Sequence, residues 1–186
     1  MAKIRSFVAV DVEDHGLRQR FAEFQKGLLE AGADLKLVAP ENMHLTLRFL
    51  GEIEEGEIHR VIDVMSTLSI QPFAIRFIGA GAFPSLNRIN AVWVGIRDGS
   101  EELTEIVDEL EPRLRTIGIP PDRKGFSPHL TIARVKTGRN KDRIAELIRR
   151  LSDRDFGSLR VESIRLKKSV LTPSGPRYYT IFEVKT

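Results

Sequence analysis

The hydrophobic pattern begins with Ile4 to Val12, where Phe7, Val8, Ala9 and Val10 run together as in a mostly buried strand. Asp14 then opens a helical spacing through Leu17, Phe21, Phe24 and Leu28 that stops at Gly32. Leu35–Val38 predicts a short strand and Pro40-Glu41-Asn42 a turn. Met43–Leu50 predicts a strand closed by Gly51, and a helix follows from about Glu54 to Leu68. Phe73–Phe83 and Ile89–Ile96 read as two strands around the turn Pro84-Ser85-Leu86-Asn87. Ser100–Ile117 is an amphipathic helix with Leu103, Ile106, Val107, Leu110 and Leu114 on one side. A loop at Pro120-Pro121 and Gly125 precedes a strand over Ser127–Val135 and a short helix over Lys141–Leu151. The last thirty or so residues predict two long strands joined at Pro173-Ser174-Gly175-Pro176.

Hairpins mixed among helical crossovers point to an α+β fold with antiparallel sheets rather than a doubly wound parallel sheet. At 186 residues with 41% hydrophobic content, the expectation is one globular domain over residues 1–186, built of two lobes. No apolar run approaches the roughly 18 residues of a membrane span, and the start MAKIRSFVAV lacks the apolar stretch of a secretory signal, so a cytoplasmic address is expected. The absence of cysteine excludes disulfides, thiolate zinc sites, iron–sulfur clusters and cysteine nucleophiles. Chemistry is left to His, carboxylates, hydroxyls and Arg/Lys.

Charge is uneven. Residues 113–177 hold 17 Lys/Arg against 6 Asp/Glu, leaving 12 against 20 elsewhere, within a net charge of +3. A basic surface of that kind attracts a polyanion or a phosphate ester, although a solvated sheet face gives the same count.

One internal similarity carries chemistry: His44-Leu45-Thr46-Leu47 and His129-Leu130-Thr131-Ile132. Strict alternation in a strand sends His44, Thr46 and Arg48 to one face, and Met43, Leu45, Leu47 and Phe49 to the other. The first face is chemistry and the second core. The second copy sets His129 and Thr131 against Leu130 and Ile132 in the same way. Two such strands side by side line a groove with two imidazoles and two hydroxyls, large enough for a phosphate. One neutral imidazole can take a proton from water while the other, protonated, gives one to a leaving oxygen. The threonines donate to non-bridging oxygens as charge builds on phosphorus. A zinc site fits poorly, because two histidines with threonine beside each do not make three ligands, so neither a metal nor another cofactor is expected. A strained ester is the natural substrate of a site with no cation to neutralise a dianion. His15, at a helix start, and His59, among polar residues, read as solvent-facing.

These motifs resemble the two-histidine phosphoesterases, and within them the RNA 2′,3′-cyclic phosphodiesterases historically called 2′-5′ RNA ligases. The likeness covers nearly the whole chain: Arg5-x-Phe7-Val8-Ala9; Pro40-Glu41-Asn42-Met43 followed by His44 through Glu52; Phe83-Pro84-Ser85 leading to Val92-Trp93-Val94-Gly95; Ser127-Pro128 followed by His129 through Arg134; and Ser174-Gly175-Pro176-x-Tyr178. The resemblance implies two pseudo-twofold-related halves whose antiparallel sheets face a central cleft, with helices outside. It implies hydrolysis of a terminal 2′,3′-cyclic phosphate on RNA to a 2′-phosphate without a metal, with reverse 2′-5′ ligation as a minor activity. By the same resemblance His44 protonates the departing 3′ oxygen, His129 activates water, Thr46 and Thr131 hold the phosphate, Arg134 contacts it, and Phe49 stacks the terminal base. That last role conflicts with the alternation, which sends Phe49 to the core unless a bulge re-aims it. Trp93 and Tyr178 read as packing residues. Lys167, Lys168 and Arg177 either track an RNA backbone or solvate a strand edge. The expected partners are RNA with cyclic phosphate ends, tRNA fragments among them, or cyclic nucleotides, and no membrane; nothing in the sequence demands more than a monomer. The alternatives are an RNA-binding protein without turnover and a phosphodiesterase acting on 2′-5′ linkages.

Overall fold

The opening strand and helix form where the pattern sets them. In the computed structural model, which describes residues 2–186, β1 spans Lys3–Asp11 and α1 spans His15–Glu30. The Asp14 carboxylate accepts a hydrogen bond from the Leu17 amide at 2.7 Å, satisfying an amide that the helix start leaves open. Leu17, Phe21, Phe24 and Leu28 are all buried, and the Phe21 ring meets Phe77 edge-on at 5.2 Å. The chain continues through β2 (Leu35–Leu37), β3 (His44–Glu54), α2 (Ile58–Ser66), β4 (Phe73–Ser85), β5 (Arg88–Ile96) and α3 (Ser100–Thr116). It ends with β6 (His129–Val135), α4 (Lys141–Arg150), β7 (Asp155–Val161), β8 (Ser163–Thr172) and β9 (Gly175–Lys185).

Every strand pairing is antiparallel, as the mixture of hairpins and crossovers predicts. One sheet has the order β3-β1-β8-β9 and the other β2-β6-β5-β4-β7. Helices α2 and α3 back the first sheet; α1 and α4 back the second. The other faces of the two sheets look into a cleft, and β3 lies against β6 where the sheets meet. Each spatial half draws strands and helices from both ends of the chain, so the halves interleave along the sequence.

Three departures from the sequence pattern go beyond shifts of one or two residues at element ends. β3 runs through Gly51 to Glu54, because Gly51, at φ +77°, sits at a bulge where Ser6 pairs with Gly51 and Phe7 with Phe49. A glycine in a strand interior here marks a bend in the ladder rather than its end. The helix expected from Glu54 is a 3₁₀ turn over Glu55–Glu57 followed by α2. The C-terminal segment holds three strands, not two: β7 leaves the hairpin β8–β9 and pairs with β4 at the edge of the other sheet. Its polar-interrupted sequence, DFGSLRV, hides a strand whose inward positions are Phe156 and Val161.

Candidate active site

The two histidine strands have the same burial sequence. From His44 to Phe49 and from His129 to Arg134, the first and third residues are partly buried, the second, fourth and fifth are buried, and the sixth is exposed. Simple alternation cannot produce that pattern; a bulge at the fourth residue does. In β3, Ala9 pairs with Thr46 and Val8 with Arg48, so Leu47 is the extra residue. In β6, Trp93 pairs with Thr131 and Val92 with Ala133, so Ile132 is the extra residue. Beyond each bulge the faces exchange.

That exchange corrects two expectations. Phe49 is 55% exposed on the cleft side, with its ring 6.2 Å from Phe7, rather than in the core. Arg48, expected beside His44 and Thr46, is 6% exposed on the helix side. There its guanidinium bonds the Glu111 carboxylate, the Phe49 carbonyl and the Pro120 carbonyl. Arg48 thus ties β3 to α3 and to the loop before β6. The bulge in β6 is held by another buried polar side chain, Gln25 of α1, whose amide donates to the Ile132 carbonyl at 2.8 Å and to the Val38 carbonyl at 2.9 Å. Each bulge has a buried polar side chain bonded to a carbonyl at or beside it; the Ile132 carbonyl accepts from the Val38 amide at 2.9 Å as well as from Gln25.

The imidazoles are positioned alike. His44 Nδ1 lies 2.7 Å from the Asn42 carbonyl, and His129 Nδ1 lies 2.7 Å from the Ser127 carbonyl, two residues upstream in each case. A carbonyl only accepts, so Nδ1 carries the proton in both rings and Nε2 is left for the cleft. Aromatic walls fix the ring planes: Phe7 at 4.8 Å and Tyr178 edge-on at 5.1 Å for His44, and Phe83 edge-on at 4.8 Å and Trp93 at 6.3 Å for His129. Tyr178 reaches His44 because the Asn42 amide donates to the Pro176 carbonyl at 3.0 Å, pinning the β8–β9 hairpin to the turn before β3.

Burial pushes both imidazoles below the ordinary histidine value, since it penalises the charged ring. For His44 the Asn42 carbonyl and Asp11 pull upward and Lys167 pushes down. For His129 the Ser127 carbonyl pulls upward and the Arg134 charge pushes down. Burial also raises the Tyr178 hydroxyl, against the Arg134 and Arg5 charges. Arg134 therefore acts on groups from both sheets.

The structure brings His44, Thr46 and Phe49 onto one wall and His129, Thr131 and Arg134 onto the other, with β3 against β6. Lys168 lies over the Tyr179 ring at 5.6 Å, and Arg177 is exposed. Lys167 is not available to an RNA backbone: it is buried, and its ammonium bonds Asp11. His15 and His59 are exposed, as their polar surroundings predict. The residues that the sequence reading missed are Phe7, Phe83, Asp11 and Gln25; of these, Asp11 was marked by its place as the charged residue that ends the apolar run Phe7–Val10. Among the described residues, no group of three or more His, Cys, Asp or Glu side chains gathers in a way that could hold a metal ion. No helix among them is long and apolar enough to cross a membrane. A cavity of about 580 Å³ opens between α2 and α3, lined by Arg60, Asp63, Thr67 and Arg113 among others. It lies on the helix side of the sheet, away from both imidazoles, so the site is located by its chemistry rather than by cavity size.

Comparison with known proteins also divides the chain in two. The family described as LigT-like phosphoesterase matches residues 10–93 and again 94–178, one match for each His-x-Thr strand. The chain belongs to the LigT-like phosphoesterases of the two-histidine superfamily. This LigT-like phosphoesterase is 42% identical over 184 residues to a Methanothermobacter thermautotrophicus protein named RNA 2′,3′-cyclic phosphodiesterase, covering 98% of each chain. It is 40% identical over 166 residues to an Aeropyrum pernix protein of the same name, covering 89% of this chain and 94% of that one. A Thermus thermophilus crystal structure superposes with a TM-score of 0.81 at 27% identity, covering 98% of this chain and 97% of that one. The Escherichia coli LigT structure with 3′-AMP shares the fold at 21% identity, with a TM-score of 0.79 over 99% of this chain and 98% of that one.

Proposed function

We propose that this LigT-like phosphoesterase hydrolyses the terminal 2′,3′-cyclic phosphate of RNA to a 2′-phosphate by acid–base catalysis between two histidines, without a metal ion. The observation that carries the reading is the matched pair of imidazoles, each held at Nδ1 by a backbone carbonyl and each leaving Nε2 to the cleft. The relatives that match along nearly the whole chain and bear the name RNA 2′,3′-cyclic phosphodiesterase support it.

In this reaction His129, neutral at the start, takes a proton from water as the water oxygen bonds to phosphorus. The P–O3′ bond breaks, and protonated His44 gives its proton to the departing 3′ oxygen. The two rings end with their protonation states exchanged, and solvent resets them. Thr46, Thr131 and Arg134 hold the non-bridging oxygens, where charge builds in the transition state. Phe49 stacks on the terminal base. The groups around the imidazoles suit a metal-free route: hydroxyls and a guanidinium stabilise the phosphoryl oxygens, while the carboxylate beside His44, that of Asp11, is engaged by Lys167 and Arg165. If a 5′-hydroxyl replaces water, the same steps form a 2′-5′ linkage; water at high concentration makes that the minor outcome. Ends of tRNA fragments and nucleoside cyclic phosphates present the same ester.

The test is incubation of the purified protein, with EDTA present, with a short RNA ending in 2′,3′-cyclic phosphate across about pH 5 to 9. A 2′-phosphate product with a bell-shaped rate profile, lost in both His44→Ala and His129→Ala, is the expected result. Binding without product, or full activity in either variant, would overturn it.

A further inference from the structure

The two halves of the site match in backbone and differ in charge. Across the β1–β3 ladder, His44 is paired with Asp11; across the β5–β6 ladder, the residue paired with His129 is Gly95. No side chain fits at Gly95, where a Cβ would stand 2.8 Å from the Ile78 carbonyl oxygen. Five residues beyond the histidine, one half carries neutral Phe49 and the other carries Arg134. One imidazole thus has a carboxylate as its cross-strand neighbour, and the other has a guanidinium on its own strand.

Asp11 is held in place. Lys167 Nζ donates to its two oxygens at 2.7 and 2.6 Å, and Arg165 donates to one of them at 2.7 Å. Arg165 is itself anchored by Glu13 at 2.7 Å and Glu183 at 3.1 Å. Lys167 is 6% exposed, and an ammonium so deeply buried requires an ionised partner. The carboxylate cannot rotate away without stranding that cation.

We propose that Asp11, fixed by Lys167 and Arg165, is a positioning residue that makes His44 the acid of the pair, and that Gly95 and Arg134 leave His129 to serve as the base. This assignment rests on the acid–base reading of the site given above. The charged and titratable groups around His44 are Asp11 from β1, Lys167 and Arg165 from β8, and Tyr178 from β9, with His129 and Arg134 facing them on β6. Of the charges acting on His44, the upward pull of Asp11 exceeds the downward push of Lys167, and on His129 the one charge acting, Arg134, pushes down. Burial lowers both rings, and the charges beside the two act in opposite directions.

The experiment compares Asp11→Asn, Lys167→Met and the double variant with the parent, by the pH profile of kcat/KM on cyclic-phosphate RNA and by NMR titration of the imidazoles without substrate. His44→Ala and His129→Ala assign the resonances. Asp11→Asn is expected to lower the His44 titration and the alkaline limb by roughly half to one pH unit, leaving the acid limb in place. Lys167→Met is expected to move both the other way, and the double variant to return them toward the parent. An unmoved His44 titration in Asp11→Asn, equal shifts of both histidines, or loss of rate with neither limb displaced would overturn the proposal. Should Asp11→Asn not fold, the upward shift in Lys167→Met decides. A parent that cleaves no cyclic phosphate would overturn the proposed function, while the NMR titration would still decide whether Asp11 sets His44.

Discussion

Phe49 and Arg134 occupy equivalent positions in the two halves: each follows its histidine by five residues, and each is turned to the cleft by a bulge at the residue two before it. One half therefore offers an aromatic face and the other a guanidinium, which suits a terminal nucleotide with a base at one end and a phosphate at the other. Arg134→Met is expected to lower kcat/KM on a cyclic-phosphate RNA by about ten- to hundredfold, the loss of one or two charge-assisted hydrogen bonds. Phe49→Ala is expected to raise KM about tenfold through lost base stacking, with a smaller effect on kcat. Steady-state kinetics separates the two; a Phe49→Ala effect confined to kcat would remove Phe49 from base recognition.

The bulges that place these side chains depend on buried polar residues outside the cleft. Arg48→Met strips Glu111 of its main partner and frees the Phe49 and Pro120 carbonyls. Glu111 keeps 18% exposure, so the cost should fall near the low end for a broken buried pair, about 3 kcal/mol. Thermal unfolding should then drop by roughly 6–12 °C for a chain of this size. Gln25→Leu removes the side-chain donor shared by the Ile132 and Val38 carbonyls, leaves the Ile132 carbonyl to the Val38 amide, and is expected to cost about 0.5–1.5 kcal/mol. An unchanged melting temperature in both variants would mean that the bulges hold themselves.

How much of this was legible in the sequence follows from what carries periodic signal. The stripe Leu103, Ile106, Val107, Leu110 and Leu114 and the duplicated His-x-Thr tripeptides announce a helix and a site, because burial and strand pleat impose their spacing. Strand period two failed at Leu47 and Ile132, where one inserted residue per strand exchanges the faces, so Arg48 and Phe49 were each assigned to the wrong side by alternation alone. The family resemblance does not depend on alternation, because it compares positions and not faces. Asp11 and Lys167 stand 156 residues apart in sequence and meet only through the β1–β8 ladder, a pairing that no local pattern specifies. β7 was missed because Gly157 and Ser158 interrupt its apolar positions.

Both imidazoles bind protons less readily folded than unfolded, so acid should weaken the fold as well as the reaction. With folded-state values below the ordinary 6.5, the unfolded chain binds more protons as pH falls through that value. Stability is therefore expected to be level in this respect above about pH 7.5, to decline as pH falls through 6.5 toward the lowered folded values, and to level again below them. Urea unfolding at about pH 8 and pH 5 measures it, and His44→Ala should reduce the difference. A difference as large in the double His44→Ala/His129→Ala variant as in the parent would assign the acid sensitivity to other groups.

Trp93 offers a way to watch the His129 wall directly, since it is the one tryptophan in the chain. Its indole lies against Gly81, where a Cβ would come within 2.1 Å of the ring, and its ring centre is 6.3 Å from that of His129. Glycine at this site is a requirement of close approach: Gly81→Ala must displace the indole, whose ring neighbours are Phe83 and His129. The overpacking is expected to cost about 1–3 kcal/mol and to displace the imidazole from its line to the Ser127 carbonyl. Gly81→Ala should thus change the tryptophan emission spectrum and lower kcat together, whereas an alanine at exposed Gly138, with open space around it, should change neither. A shifted emission spectrum with kcat intact would show that His129 holds its place through the Ser127 carbonyl alone, without the aromatic wall.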